Sequence, residues 1–170
     1  VMKESHIADL LARRSQPLLS LEFFPPRDHK GFAFLGSSIE RMRSIRADFV
    51  TVTYGAGGST RDLTLTVCDV LRHMGFGPVM PHLTCVGASR RELEELADQL
   101  FREGYRNIMA LRGDPPRDGT PFRPAADGLA HASELVALLK GRHPEFNCGV
   151  ACYPEGHPEA PSLEALRARA

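Results

Sequence analysis

The stretch Leu18-Leu19-Ser20-Leu21-Glu22-Phe23-Phe24-Pro25-Pro26-Arg27 decides between two architectures. Its apolar run, Leu18–Phe24, reads as a strand. Side chains alternate along a strand, so Ser20 and Glu22 share one face while Leu19, Leu21 and Phe23 take the other. Open-sheet nucleotide binders usually leave their first strand through G-x-G-x-x-G or a P-loop. Here the strand runs into Phe24-Pro25-Pro26-Arg27, which contains no glycine. It carries instead a carboxylate near its C-terminal end, where barrel enzymes place their chemistry.

Four further runs repeat the scheme: Phe49–Tyr54, Val79–Cys85, Ile108–Leu111 and Cys148–Tyr153. Each closes on polar residues: Thr53, then His82 with Thr84, Arg112 with Asp114, and Tyr153 followed by Glu155 and His157. From Glu22 through Thr53, His82 and Asp114 to Tyr153 the intervals are 31, 29, 32 and 39 residues, one strand–helix unit each. The intervening segments are helical. Ser89 and Glu92 form a capping box before Leu93, Leu96, Ala97, Leu100 and Phe101, and Gly104 supplies a left-handed cap. Thr60–Gly75 carries Leu63, Val67, Val70, Leu71 and Met74 on one stripe. Ala132, Leu135, Val136 and Leu139 precede Gly141, and Leu35, Ile39 and Met42 give a weaker stripe.

Alternation of this kind means an α/β fold with right-handed crossovers. The one glycine-rich stretch, Gly55-Ala56-Gly57-Gly58-Ser59-Thr60, has Thr60 where the third fingerprint glycine would stand, and no G-K-[ST] occurs. The reading is a (β/α)8 TIM barrel, represented by about five of its eight units as a single incomplete domain over residues 1–170. A closed barrel typically needs ~250 residues. The chain is therefore expected to be part of a longer polypeptide, with two chains completing each other's sheet as the runner-up.

The composition excludes several function classes. Hydrophobic residues make up 42% and charged residues 25% of 170, an ordinary globular balance. Lys and Arg total 21 against 21 Asp and Glu, so no net field recruits nucleic acid or an anionic membrane. No apolar run approaches the ~20 residues of a membrane span, and Val1-Met2-Lys3-Glu4-Ser5 lacks a signal-peptide core. A soluble cytoplasmic protein is expected. Cys68, Cys85, Cys148 and Cys152 have no metal-type spacing and read as reduced, mostly buried thiols. Cys148 and Cys152 on one strand stand roughly 13 Å apart, too far for a disulfide.

Each polar residue has a structural and a chemical reading. Glu22 could pair with a barrel arginine; its alternative is a general acid kept protonated by apolar surroundings. Asp114 before Pro115 could simply start a turn. His82 alone reads as a hydrogen-bonded core residue, and nothing near it forms a metal set. His157 sits between two prolines on a rigid loop suited to presenting a polar side chain. His6, His29, His73 and His143 read as solvated, and Arg90-Arg91 and Glu94-Glu95 as helix surface.

Five blocks together carry a resemblance. Leu21-Glu22-Phe23-Phe24-Pro25-Pro26-Arg27, Val52-Thr53-Tyr54 through Arg61, Pro81-His82-Leu83-Thr84-Cys85, Ala110-Leu111-Arg112-Gly113-Asp114-Pro115-Pro116 and Tyr153-Pro154-Glu155-Gly156-His157-Pro158-Glu159-Ala160 resemble 5,10-methylenetetrahydrofolate reductase, in order and at matching spacing. The resemblance implies a flavin-dependent barrel of one-carbon metabolism. Such an enzyme uses NADH or NADPH, through FAD, to reduce 5,10-methylenetetrahydrofolate to the 5-methyl form that feeds methionine synthesis.

By the same resemblance Glu22 matches the catalytic acid, and Asp114 an aspartate that tunes the flavin and folate. Thr53 matches a residue near the nicotinamide. Tyr54, Ala56, His82, Arg112, Gly113, Asp114, Ala132, Tyr153, His157 and Ala160 match FAD-contacting positions, and His131 a spot where an aromatic residue meets the flavin. Beyond Ala160 the family pattern holds an acidic residue and a lysine; here Glu164 is the nearest acid and no lysine follows. The expected partner is the small-molecule folate, with no metal, and the chain is expected to form a homo-oligomer. The competing expectation is a truncated, non-catalytic flavin-binding or interaction remnant.

Overall fold

A computed structural model describes residues 5–26, 28–54, 61–114, 122–153 and 164. Its elements in chain order are α1 (Ile7–Arg13), β1 (Ser20–Phe23), α2 (His29–Met42), β2 (Phe49–Val52), α3 (Arg61–His73), β3 (Val79–Thr84), α4 (Arg90–Arg102), β4 (Asn107–Leu111), α5 (Ala132–Arg142) and β5 (Asn147–Val150). The five strands form one parallel sheet in the order β1-β2-β3-β4-β5. Strand order never reverses. A doubly wound sheet must reverse to cover both faces, whereas successive crossovers of one hand keep every helix on one side.

Register shows what the two faces are. Neighbours in register share a face, so Glu22, Thr51 and Met80 lie on one side, as do His82 with Met109 and Thr84 with Leu111. The opposite side carries Phe23, Val50, Val52, Val79, Leu83, Ile108 and Ala110. These join Ile39 of α2, Val67, Cys68 and Leu71 of α3, Leu93, Leu96 and Leu100 of α4, and Leu135 and Leu139 of α5 in one buried cluster. Burying each Leu or Ile of that cluster is worth ~1.5–3 kcal/mol. The helix-covered outer face thus holds the core, and the face bearing Glu22 and His82 stays outside it. The alternation expected on β1 is what the register shows.

Helix ends follow local chemistry. Ser89 Oγ accepts from Glu92 N (3.2 Å) while Glu92 Oε2 accepts from Ser89 N (2.8 Å), the predicted capping box of α4. Gly104 takes φ +90° just beyond the same helix, as its expected cap requires. Asp28 caps α2 by accepting from Gly31 N at 2.7 Å. Arg91 and Glu95, read from the sequence as helix surface, are exposed and form an i,i+4 ion pair.

Several expectations need correction. The strands are shorter than the apolar runs. Leu18, Leu19 and Phe24 flank β1 outside its pairing register, which stops at Phe23, and Phe24 is 67% exposed. Cys85 lies just past β3, while Cys152 and Tyr153 lie past β5. Cys152 is exposed rather than buried, and Cys148 is half-buried. Val70 points outward from α3 at 39% exposure.

His143 is not a solvated residue: its ring stacks on Phe101 with centroids 4.0 Å apart, and Nε2 meets Asp98 Oδ1 at 2.8 Å. His6 holds a buried Nε2. Helix α1 was not expected at all. Its start is clamped by Asn107 at the beginning of β4, whose Oδ1 accepts from Ile7 N (2.8 Å) and whose Nδ2 donates to Ser5 O (2.9 Å). No helix among the described residues is long and apolar enough to cross a membrane.

Candidate functional site

The C-terminal ends of the strands bring the predicted polar residues together on the face the core does not use. Glu22 and Thr51 stand opposite each other in the β1–β2 register, and Thr51 Oγ1 donates to Glu22 Oε2 at 3.1 Å. His82 reaches the same oxygen from β3, its Nε2 3.5 Å away. The His82 side chain is only 11% exposed, whereas that of Glu22 is 49% exposed. Among the described residues β1 pairs with β2 alone, and in this sheet the Glu22 carboxylate is half exposed. Burial pushes the His82 imidazole below its usual range against the opposing pull of Glu22, so it is neutral at pH 7.

The next strand junctions supply the rest of the mouth. Past β2, Thr53 and Tyr54 are half-buried, and Thr53 O accepts from Thr64 Oγ1 of α3 at 3.1 Å. Past β4 come Arg112, Gly113 and Asp114. Arg112 places its guanidinium 5.4 Å from the centroid of the Phe122 ring. Gly113 has φ +91°, and a Cβ there would fall 2.8 Å from Val86 Cγ1 and 3.2 Å from Thr84 Cβ. Both facts demand glycine: the backbone is left-handed and lies against the β3 end. Asp114 is exposed.

Arg90 N donates to Asp127 O (3.3 Å), and His131 stands at the N-terminus of α5. His131 is exposed; its carbonyl accepts from Cys85 Sγ at 3.5 Å, and its N–H donates to Glu134 Oε2 at 2.9 Å. Those backbone donors, from His131 and Ala130, hold the Glu134 carboxyl below its usual range. Burial, with Glu134 adding to it, pushes the Cys85 thiol up to about 11, so it is an inert structural group under the mouth. Ala132 opens α5, and Tyr153 follows β5 at 40% exposure. Ala56, His157 and Ala160 lie outside the described residues; Glu164 is exposed.

Sequence reasoning named most of this mouth but missed Thr51 as a contact of Glu22, although their shared polar parity was the available signal. It also missed Asn107, whose only signal is a polar residue beside an apolar run. Among the described residues no group of three His, Cys, Asp or Glu side chains could hold a metal ion.

The mouth is chemically incomplete in a specific way. His82 Nε2 and Thr84 Oγ1 are buried side-chain atoms with no hydrogen-bond partner among the described residues. Buried polar groups are normally paired, and each unpaired one costs ~1–3 kcal/mol. Both lie on the inner face at the end of one strand, beside the glycine that lets backbone approach closely. That donor and acceptor set fits a flat, polar-edged group such as a flavin.

Comparison with known proteins identifies the family. The profile of the family described as Methylenetetrahydrofolate reductase matches residues 6–169. The 5,10-methylenetetrahydrofolate reductase of Pectobacterium carotovorum is 43% identical over 147 residues, covering 86% of this chain and 47% of that protein. That of Salmonella typhimurium is 44% identical over 148 residues, with the same coverage. A rice protein named probable methylenetetrahydrofolate reductase (NADH) is 35% identical over 150 residues, covering 88% of this chain and 25% of its own length. The chain thus spans about half the length of the bacterial relatives it matches, and it belongs to the methylenetetrahydrofolate reductase family.

Proposed function

We propose that this chain supplies the flavin and folate mouth of a methylenetetrahydrofolate reductase. The single observation that carries the reading is the convergence of Glu22, Thr51, His82 and Thr84 on one sheet face, with the buried Thr84 hydroxyl lacking a hydrogen-bond partner among the described residues. The one-sided winding of five sequential parallel strands supports a (β/α)8 barrel, of which residues 1–170 form one incomplete domain. The reading includes a cytoplasmic protein that works as a homo-oligomer.

His82, Thr84, Arg112, Gly113 and Asp114 would hold FAD, with Tyr54, His131, Ala132 and Tyr153 around them, and Ala56, His157 and Ala160 by family resemblance alone. Thr53 would lie near the nicotinamide. The chemistry a bound FAD supplies is hydride transfer from NADH or NADPH to the folate. Glu22 acts as the acid. Its O–H bond breaks as an N–H bond forms on the leaving ring nitrogen of methylenetetrahydrofolate; that nitrogen keeps the C–N bonding pair, and the ring opens to an iminium ready for reduction. His82, neutral and buried beside Glu22, offers a hydrogen-bonding edge without competing as a charge. Asp114, exposed at the end of β4, adds a negative charge at the mouth that stabilises the cationic iminium.

Stopped-flow measurement of Glu22→Gln in the full-length enzyme tests the reading. The folate half-reaction should fall ~10²–10⁴-fold while flavin reduction by NAD(P)H stays near wild type, because only the former needs a proton donor. Equal losses in both halves would make Glu22 structural. A folded full-length protein that binds no FAD would identify a non-catalytic remnant instead.

A further inference from the structure

We propose that Thr51 is a positioning residue: its hydroxyl holds Oε2 of Glu22 and thereby assigns the transferable proton to Oε1. The inference rests on the reading of Glu22 as the acid. A neutral carboxyl has one carbonyl oxygen and one O–H. Thr51 Oγ1 donates to Oε2 at 3.1 Å, and His82 Nε2 faces the same oxygen at 3.5 Å. A carbonyl oxygen accepts more strongly than a carboxyl O–H oxygen, so a hydroxyl donated to Oε2 favours Oε2 as the carbonyl oxygen. Oε1, which no hydrogen bond described here occupies, then carries the proton.

The two residues are unequal in stiffness. Glu22 on β1 has an unbranched side chain with three rotatable bonds. Thr51 lies on β2, flanked by β1 and β3, is 7% exposed, and has a β-branched side chain with few allowed rotamers. The register Glu22↔Thr51 keeps both on one face. A rigid donor on an internal strand therefore orients a flexible acid on its neighbour. The same bond gains strength once the proton has left, because a hydroxyl bonds a carboxylate more strongly than a neutral carboxyl. Thr51 thus favours proton release to the ring nitrogen as well as aiming it.

The test uses the full-length holoenzyme with Thr51→Val, which keeps shape and removes the hydroxyl, and Thr51→Ser, which keeps the hydroxyl. Thr51→Val should slow the folate half-reaction about tenfold more than the nicotinamide half-reaction, and Thr51→Ser should restore it. A second readout needs no turnover. The infrared carboxyl band of Glu22 at low pH, identified by its loss in Glu22→Gln, should move to higher wavenumber in Thr51→Val and return in Thr51→Ser. An unchanged band and rate in Thr51→Val would overturn the proposal, as would a Thr51→Ser variant as impaired as Thr51→Val. If Thr51→Val fails to fold, Thr51→Ala against Thr51→Ser gives the same contrast. Should Glu22→Gln itself leave the folate half-reaction intact, the acid reading fails; a null result confined to Thr51→Val removes only the positioning role.

Discussion

Strand β3 holds both faces of the molecule within three residues. Leu83 is 1% exposed and packs into the cluster that joins the sheet to its helices. Its neighbours His82 and Thr84 turn the other way, His82 toward Glu22 at 3.5 Å and Thr84 with a buried hydroxyl that has no hydrogen-bond partner among the described residues. One face of the strand is closed chemistry, the other open chemistry. The period-two alternation of a strand makes that division possible, because adjacent residues answer to different surroundings. Stability accumulates on the outer face, and the inner face is free to hold groups that raise the free energy until a ligand meets them.

Substitutions on the two faces should therefore behave oppositely. Leu83→Ala removes buried methyl groups from a packed cluster and should lower stability by ~2–5 kcal/mol, read from urea unfolding midpoints. A loss below ~1 kcal/mol would mean that the outer face is not the core. Gly113→Ala places a methyl at φ +91° and 2.8 Å from Val86 Cγ1. It should cost ~1–3 kcal/mol and weaken FAD binding in a titration, because the backbone must move away from Thr84. Binding and stability both at wild-type level would show that the β4 end does not need its left-handed turn.

Thr84→Val sharpens the comparison most. Replacing an unpaired buried hydroxyl by a methyl of the same shape should leave the ligand-free protein unchanged or more stable by up to ~1 kcal/mol, while FAD affinity falls. Destabilisation comparable to Leu83→Ala would erase the distinction between the faces.

The smallest effect concerns the helix layer behind the core. Arg142, then His143, hold the Asp98 carboxyl down to about 2 by hydrogen bonds of 2.5–2.9 Å. An unfolded aspartate titrates near ~3.9. The folded value is lower, so this contribution to stability is present above about pH 4 and is lost as pH falls toward 2. Asp98→Asn should be less stable than wild type at pH 6, and the gap should close by pH 2. A gap that stays constant with pH would assign the effect to packing of His143 on Phe101 instead.

The alternating pattern determined a good deal about this protein without reference to any contact. Five apolar runs at near-regular spacing specified five parallel strands, and the capping box at Ser89 and the glycine at Gly104 located α4 to within a residue or two. Parity along the first run already set Glu22 on the face opposite Leu21 and Phe23. These are local facts: they depend on residue type and on periods of 2 and 3.6, which are written along the chain. The tertiary structure decided the rest. Glu22 meets His82 because β1 and β3 both flank β2, a property of sheet order. Thr51 became its partner through register, and Asn107 became the clamp of α1 across a sequence separation of 100 residues. His143 left solvent because Phe101 and Asp98 of another helix meet it there. Each of these depends on which residues the crossovers bring side by side, and a pairing between distant segments leaves no periodic mark on either one.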